Sequence, residues 1–265
     1  MQEQHHILMY HHVAPLSGRE SLLPYVVSPQ VFCRQLDVIV ASRLPVVTMA
    51  ELMRRQEERS LTGRRCVVLT FDDCSRELLD YAVPELERRN LRASFYAVAS
   101  RFGGQNDWDD HRGGGRVQLM LEDELKALVR MGHEVGSHGV HHRRLDQCSR
   151  EDVVTELTHS KRRIEEVTGL PVETLAYPFG AIPLSHGQLC REAGYTAACS
   201  IFSAARTVLS DRFAIRRILI HEADIGWRMR FKLSRLYLEL RRVRDRSLIE
   251  RAEFRPELSE GPAKK

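Results

Sequence analysis

Apolar and polar positions along the chain follow two alternating periods. Short apolar runs rich in Val, Ile and aromatic residues read as buried strands at 5–13 (HHILMYHHV), 45–49, 64–73 (RRCVVLTFDD), 92–100, 195–201 and 213–222; 133–142 begins as one, and 174–180 (TLAYPFG) is a strand end followed by a turn. Between them, apolar residues return at helical spacing. The segment 28–42 starts at Ser28 with Pro29 in the first turn, and 75–90 carries a kink at Pro84. The segment 121–132 closes at Gly132, and 149–169 is bounded by Ser149 and Gly169. Further helices are expected at 185–194 and 228–253. The Gly- and Asp-rich stretch 101–116 reads as a long loop, and the tail 254–265 as disordered.

Strand–helix alternation at this spacing implies an α/β protein with a parallel sheet and helices outside it. An open doubly wound sheet and a closed barrel both satisfy the pattern. In either, functional residues belong at the C-terminal ends of strands. A length of 265 residues, 43% hydrophobic and 29% charged, describes an ordinary globular chain. The formal charge of +4 is too small to argue for a nucleic-acid partner. The six cysteines form no C-x-x-C pair and suit buried thiols in a reducing compartment. No leader and no membrane-spanning run is visible, so the expected location is cytoplasmic.

Residues 67–74, VVLTFDDC, end an apolar strand on two adjacent carboxylates, Asp72 and Asp73. Such a pair repels, and burying either member costs free energy unless a cation or a proton neutralises it. GSHGVHH offers the partner: His138 and His142 stand four residues apart, where one helical turn would set both imidazoles on one face. Two imidazole nitrogens and one carboxylate oxygen make the ligand set of a catalytic divalent ion with open positions. One aspartate is then neutralised, and the other is left to act as a base. An isolated His-x-x-x-His is ordinarily coincidence among 12 histidines, and an isolated Asp-Asp is ordinarily a cap or a turn. Both motifs fall at strand ends, however, and such ends share one rim of the sheet.

In the order of its blocks the chain resembles the polysaccharide deacetylase family, the family-four carbohydrate esterases. The blocks are LMYHHV (8–13), LTFDDCSRELLDYAVPEL (69–86), RASFYAV (92–98), MGHEVGSHGVHHRRL (131–145), ELTHSKRRIEEVTG (156–169) and AYPFG (176–180). YHHV and RRI (216–218) resemble the branch linked to exopolysaccharide processing. The resemblance implies a distorted (β/α) barrel with fewer than eight repeats. It also implies a hydrolase that removes N-acetyl groups from an N-acetylated oligo- or polysaccharide, using a divalent metal, zinc foremost.

Carried over by position, the resemblance makes Asp73, His138 and His142 the metal ligands and Asp72 the general base. His141 lies outside the ligand set and reads as solvent-facing. AYPFG implies one wall of the groove, with Tyr177 and Phe179 toward the substrate and the Phe179 N–H toward the oxyanion. Ala176 stands where the family often has an arginine that orients the base, so the orientation of Asp72 either comes from elsewhere, with Arg217 as the candidate, or is weaker. Cys74 replaces the usual Gly, and Gly139 the usual Ser or Thr. ILIHE (218–222) implies His221 as the general acid, with His11 and His12 as alternatives.

Two other readings are open: a same-fold metallohydrolase of a small amide, and a catalytically impaired glycan-binding protein. The expected division is a catalytic domain over 1–227, a basic C-terminal helix over 228–253 and the tail. Residues 228–251 hold nine Lys/Arg against three Asp/Glu, with Phe231, Leu236, Leu240 and Val243 at near-helical spacing. That pattern admits peripheral contact with an acidic membrane surface.

Overall fold

The structure, a computed structural model, describes residues 5–17, 24–60, 65–108, 116–201 and 211–253, with side chains of the last helix followed to residue 244. Its strands are β1 (His6–Tyr10), β2 (His12–Val13), β3 (Val26–Val27), β4 (Val46–Val47), β5 (Val67–Phe71), β6 (Ser94–Ala97), β7 (Glu134–Ser137), β8 (Thr174–Ala176), β9 (Ala197–Ser200), β10 (Ile215–Arg216) and β11 (Ile218–Leu219). Its helices are α1 (Pro29–Ala41), α2 (Met49–Glu57), α3 (Leu78–Tyr81), α4 (Val83–Arg88), α5 (Glu122–Arg130), α6 (Arg150–Thr168), α7 (His186–Glu192), α8 (Trp227–Lys232) and α9 (Arg235–Glu253).

The main sheet runs β10-β9-β8-β7-β6-β5-β1-β11, every pair parallel. One edge of β5 is shared: β4 pairs at Val67–Val68 and β6 at Thr70–Phe71. The two ends of this path, β10 and β11, are separated in sequence by Arg217 alone. One short run of chain therefore bonds β9 with its first half and β1 with its second, and the sheet becomes a nearly closed, distorted (β/α) barrel.

Period-two alternation sorts the core. Val67, Leu69 and Phe71 of β5 join Leu8, Tyr10, Phe32 and Leu36 in the layer between strands and helices. Val68 joins Ile7, Tyr96, Ala176, Ala197 and Ile215 in the interior, together with Met49, Leu52 and Met53 of α2. α2 thus plugs one mouth of the barrel. Thr48 caps its N-terminus through the Glu51 N–H, the Met49 N–H donates to Ser94 Oγ (2.9 Å), and the Ala50 N–H donates to Glu134 Oε2 (3.0 Å). The opposite mouth, at the C-terminal strand ends, stays open. The inward register of β5 continues through Thr70 to Asp72, which explains why that carboxylate points into the barrel.

Three elements differ from the sequence pattern. The first expected strand breaks at His11 into β1 and β2, which turns that residue toward the open mouth. The 75–90 helix divides at Ala82, and Pro84 sits in the first turn of α4, where its missing N–H costs little. The basic C-terminal segment is two helices. Ser234 Oγ accepts the Tyr237 N–H at the start of the second, and Leu238 is buried against the barrel. The tail 254–265 lies outside the described residues. Among the described residues, no helix is long and apolar enough to cross a membrane.

Candidate active site

β5 ends in a sharp turn. Asp73 (φ 67°) and Cys74 (φ 54°) both adopt the left-handed conformation, and the Cys74 N–H donates to Asp72 O at 2.9 Å. Cys74 therefore keeps a backbone conformation suited to Gly, at a cost in strain. His142 (φ 54°) and Phe179 (φ 58°) share this conformation, so strain gathers around one cavity.

His138 follows β7 directly. The single helical turn expected between His138 and His142 is not formed, because Gly139 (φ 76°) and His142 turn the chain out of the right-handed region. A loop brings the two rings together instead. It is held from α6 by the buried carboxylate of Glu156, which accepts the N–H groups of Val140 (2.6 Å) and His141 (3.0 Å) and meets His141 Nδ1 at 2.7 Å. His141 is half-exposed as well as paired. The Gly139 N–H donates to Ser137 Oγ (3.2 Å), so a neighbouring hydroxyl steadies the loop where the family's own is missing.

Asp73, His138 and His142 each present a ligand atom within 4.8 Å of the others. Asp73 Oδ1 lies 3.6 Å from His138 Nε2 and 3.4 Å from His142 Nε2. A tetrahedral ion with bonds of ~2.1 Å sets neighbouring donors about 3.4 Å apart, so the three groups fit a divalent ion. His138 Nδ1 faces Ala176 O at 2.7 Å, which places the proton there and leaves Nε2 a lone pair toward the site. Burial lowers the pKa of both histidines and favours the neutral, ligating form.

Asp72 has a different partner. Arg217, wholly buried, forms a fork with Nη1 at 2.6 Å from Oδ1 and Nη2 at 2.8 Å from Oδ2, and its Nη1 also reaches Thr70 Oγ1 at 3.3 Å. Burial alone would raise the Asp72 pKa. The charge of Arg217, with His138 and His11 beside it, outweighs burial and holds the carboxyl well below the usual range. The structure thus brings to Asp72 the arginine that position 176 lacks.

The remaining expected residues separate. His221 Nδ1 faces Pro24 O at 3.0 Å, and its ring is absent from the cavity lining. His12 borders the cavity, but its Nδ1 lies 3.7 Å from Glu77. His11 lines the cavity with Nε2 3.9 Å from Asp72 Oδ2. Burial, aided by Arg217 and His138 and opposed by Asp72, lowers its pKa to about 4. The Tyr177 hydroxyl donates to Phe213 O (2.9 Å) in the core, so its side chain turns away from the cavity. Phe179 reaches it and sets its ring against His142 at 4.6 Å.

Four residues escaped the sequence reading. Trp108 stacks on His142 (4.1 Å, 24°), and Arg144 lies over the Phe179 ring at 5.9 Å. Tyr25 packs on His11 at 4.7 Å, and Glu156 holds the histidine loop. A tryptophan inside a Gly/Asp-rich loop was the visible signal for Trp108. Trp108, Arg144 and Tyr25 line, with His11, Asp72 and the three candidate ligands, an open cavity of ≈ 220 Å³.

Residues 59–198 match the family model of polysaccharide deacetylases. The chain belongs to the polysaccharide deacetylase family. A poly-β-1,6-N-acetyl-D-glucosamine N-deacetylase of Staphylococcus aureus is 21% identical over 215 residues, which cover 78% of this deacetylase and 71% of the relative. Among solved structures, the deacetylase PplD of Streptococcus pyogenes in complex with acetate has a TM-score of 0.75 at 20% identity, covering 88% of this chain and all of that one (100%). IcaB of Ammonifex degensii has a TM-score of 0.72 at 20% identity, covering 88% and 98%. Both share the barrel fold. The deacetylase is accordingly a hydrolase of carbon–nitrogen bonds other than peptide bonds.

Proposed function

We propose that this deacetylase removes N-acetyl groups from a β-1,6-linked N-acetylglucosamine polymer or a close chemical relative, releasing acetate, with zinc held by Asp73, His138 and His142. The observation that carries the reading is the set of three converging ligand atoms beside a separately paired aspartate. The choice of glycan rests on the staphylococcal relative.

A bound divalent ion supplies polarisation of the acetyl carbonyl and acidification of water. The protein's own groups supply the rest. Asp72 accepts the proton of the attacking water at Oδ2, and Arg217 fixes the plane of that carboxylate. Paired so strongly, Asp72 is a weak base that passes the proton on. His11 Nε2, 3.9 Å from Asp72 Oδ2 on the cavity wall and outside the metal-ligand set, is the recipient. The imidazolium so formed is acidic enough to protonate the departing nitrogen. We therefore assign the acid role to His11 in place of His221. The family motif assigns the Phe179 N–H to the developing oxyanion, a contact worth about 3 kcal/mol in the transition state. Trp108 shields His142 from bulk water.

Acetate release from poly-N-acetylglucosamine fragments and from chitooligosaccharides, before and after chelation and zinc reloading, tests the reading. Zinc-restored release from the β-1,6 fragments is expected. Folded, zinc-loaded protein that frees no acetate from either glycan but cleaves small amides would replace this reading with that of a small-amide hydrolase.

A further inference from the structure

We propose that the outer face of α8 and α9 is a docking surface for an anionic phospholipid bilayer. These helices are apolar on two sides. One side packs inward through Met229, Leu233 and Leu238 and accounts for their place on the barrel. The other faces solvent: Leu236, Leu240 and Val243, spaced to share one face of α9, are 61%, 53% and 62% exposed, and Trp227 at the start of α8 is 71% exposed. Phe231 and Tyr237, 5.4 Å apart, connect the two helices. Packing of the barrel does not require this second apolar side, and contiguous apolar surface of this kind marks an interaction site.

Charge selects the partner. Residues 227–244 hold seven basic side chains and one acidic. Lys232 turns inward to Leu219 O (2.7 Å), and Arg242 pairs with Glu239. Arg228, Arg230, Arg235 and Arg244 remain exposed around the apolar stripe. A second copy of the chain seated on this face would set the same arginines against one another. Nucleic acid would satisfy the arginines and leave the stripe in water. An anionic bilayer takes both, with the aliphatic stripe and Trp227 at the acyl boundary and the arginines at the headgroups.

The placement is specific. α8 runs from the open mouth to the base, where Lys232 O meets His6 Nδ1 at 3.2 Å. α9 climbs back until Arg241 Nη2 reaches Ile201 O at 3.5 Å, and Ile201 lines the cavity. Docking would lay the barrel on its side with the cavity rim close to the headgroups. The inference goes beyond the deacetylase reading and does not depend on it.

The test is cosedimentation of the full chain with phosphatidylcholine vesicles, with and without phosphatidylglycerol. Binding is expected to the anionic vesicles and to be at least tenfold weaker on neutral ones. The double variant Leu236→Asp/Leu240→Asp should lose at least tenfold in affinity, and each of Arg230→Ser and Arg235→Ser about fivefold. All altered residues are exposed, and an unchanged thermal midpoint confirms folding. Three results would overturn the proposal: no binding of the wild-type chain to anionic vesicles, equal binding to neutral ones, or a dimer in sedimentation velocity that the Leu236→Asp/Leu240→Asp variant dissolves.

Discussion

Arg217 and Asp72, 145 residues apart in sequence, meet inside the barrel as a two-pronged ion pair of 2.6 and 2.8 Å. Arg217 is also the residue at which the barrel closes, because its N–H donates to Ser200 O (3.0 Å) while the next residues pair with β1. Closure of the fold and orientation of the carboxylate therefore depend on one position. Replacing Arg217 by Met should leave Asp72 buried without its cation and cost about 3–5 kcal/mol in urea unfolding. Lys at the same position keeps the charge but loses the fork, so it should recover part of the stability and little of the turnover.

The same geometry separates the two aspartates. Asp72→Asn should abolish acetate release and leave zinc content unchanged, measured by atomic absorption on purified protein. Loss of zinc in this variant would mean that the two carboxylates exchange roles.

His11 and His221 make opposite expectations. His11→Ala should lower kcat by roughly 10²–10⁴, the usual range for a general acid. His221→Ala should keep kcat within about twofold, since its ring faces Pro24 O outside the cavity. Steady-state acetate release decides between them, and a large loss in His221→Ala with a small one in His11→Ala would reverse the assignment.

Glu156 touches no ligand atom yet holds the backbone between both histidines. Glu156→Ala would strand the Val140 and His141 N–H groups and should weaken zinc at least tenfold in chelator competition. His141→Ala removes only the ring and should weaken zinc far less.

Which of these features could be read from the chain follows from the range of the interactions that create them. Strand–helix alternation and the Asp72, Asp73, His138, His142 set are local patterns, and the barrel brings Asp73, His138 and His142 within 4.8 Å of one another. The choice between open sheet and barrel is not local: it depends on Leu8 and Met9 pairing with Ile218 and Leu219, a register no short window contains. Arg217 is suggested only by the family resemblance, through the orienting arginine missing at Ala176, and nothing local in the chain ties it to Asp72. Glu156 was not, since a carboxylate in a helix with charges on several faces looks solvated until the 139–141 loop folds over it. The helical reading of His138 to His142 failed at Gly139, whose positive φ ends helical geometry one residue in. Tyr177 was placed toward substrate by its motif, but the β8 alternation turns its ring into the strand–helix layer.

Stability should also depend on pH through His6. Burial, then the charge of Arg65, lower its pKa from 6.5 to about 4, against a raising bond to Lys232 O. Nδ1 donates to that carbonyl at 3.2 Å, and Nε2 lies 3.1 Å from Arg65 Nη1, so a second ring proton would meet a guanidinium. The folded state binds this proton more weakly than the unfolded chain does. The contribution is therefore complete above about pH 6.5 and is lost as pH falls toward about 4, on the order of 3 kcal/mol in all. His6→Gln has no titrating ring. Its urea midpoint should start lower than the wild type's at pH 7 and decline less steeply between pH 7 and 4.5. Parallel declines in the two proteins would show that His6 does not take part in the acid response.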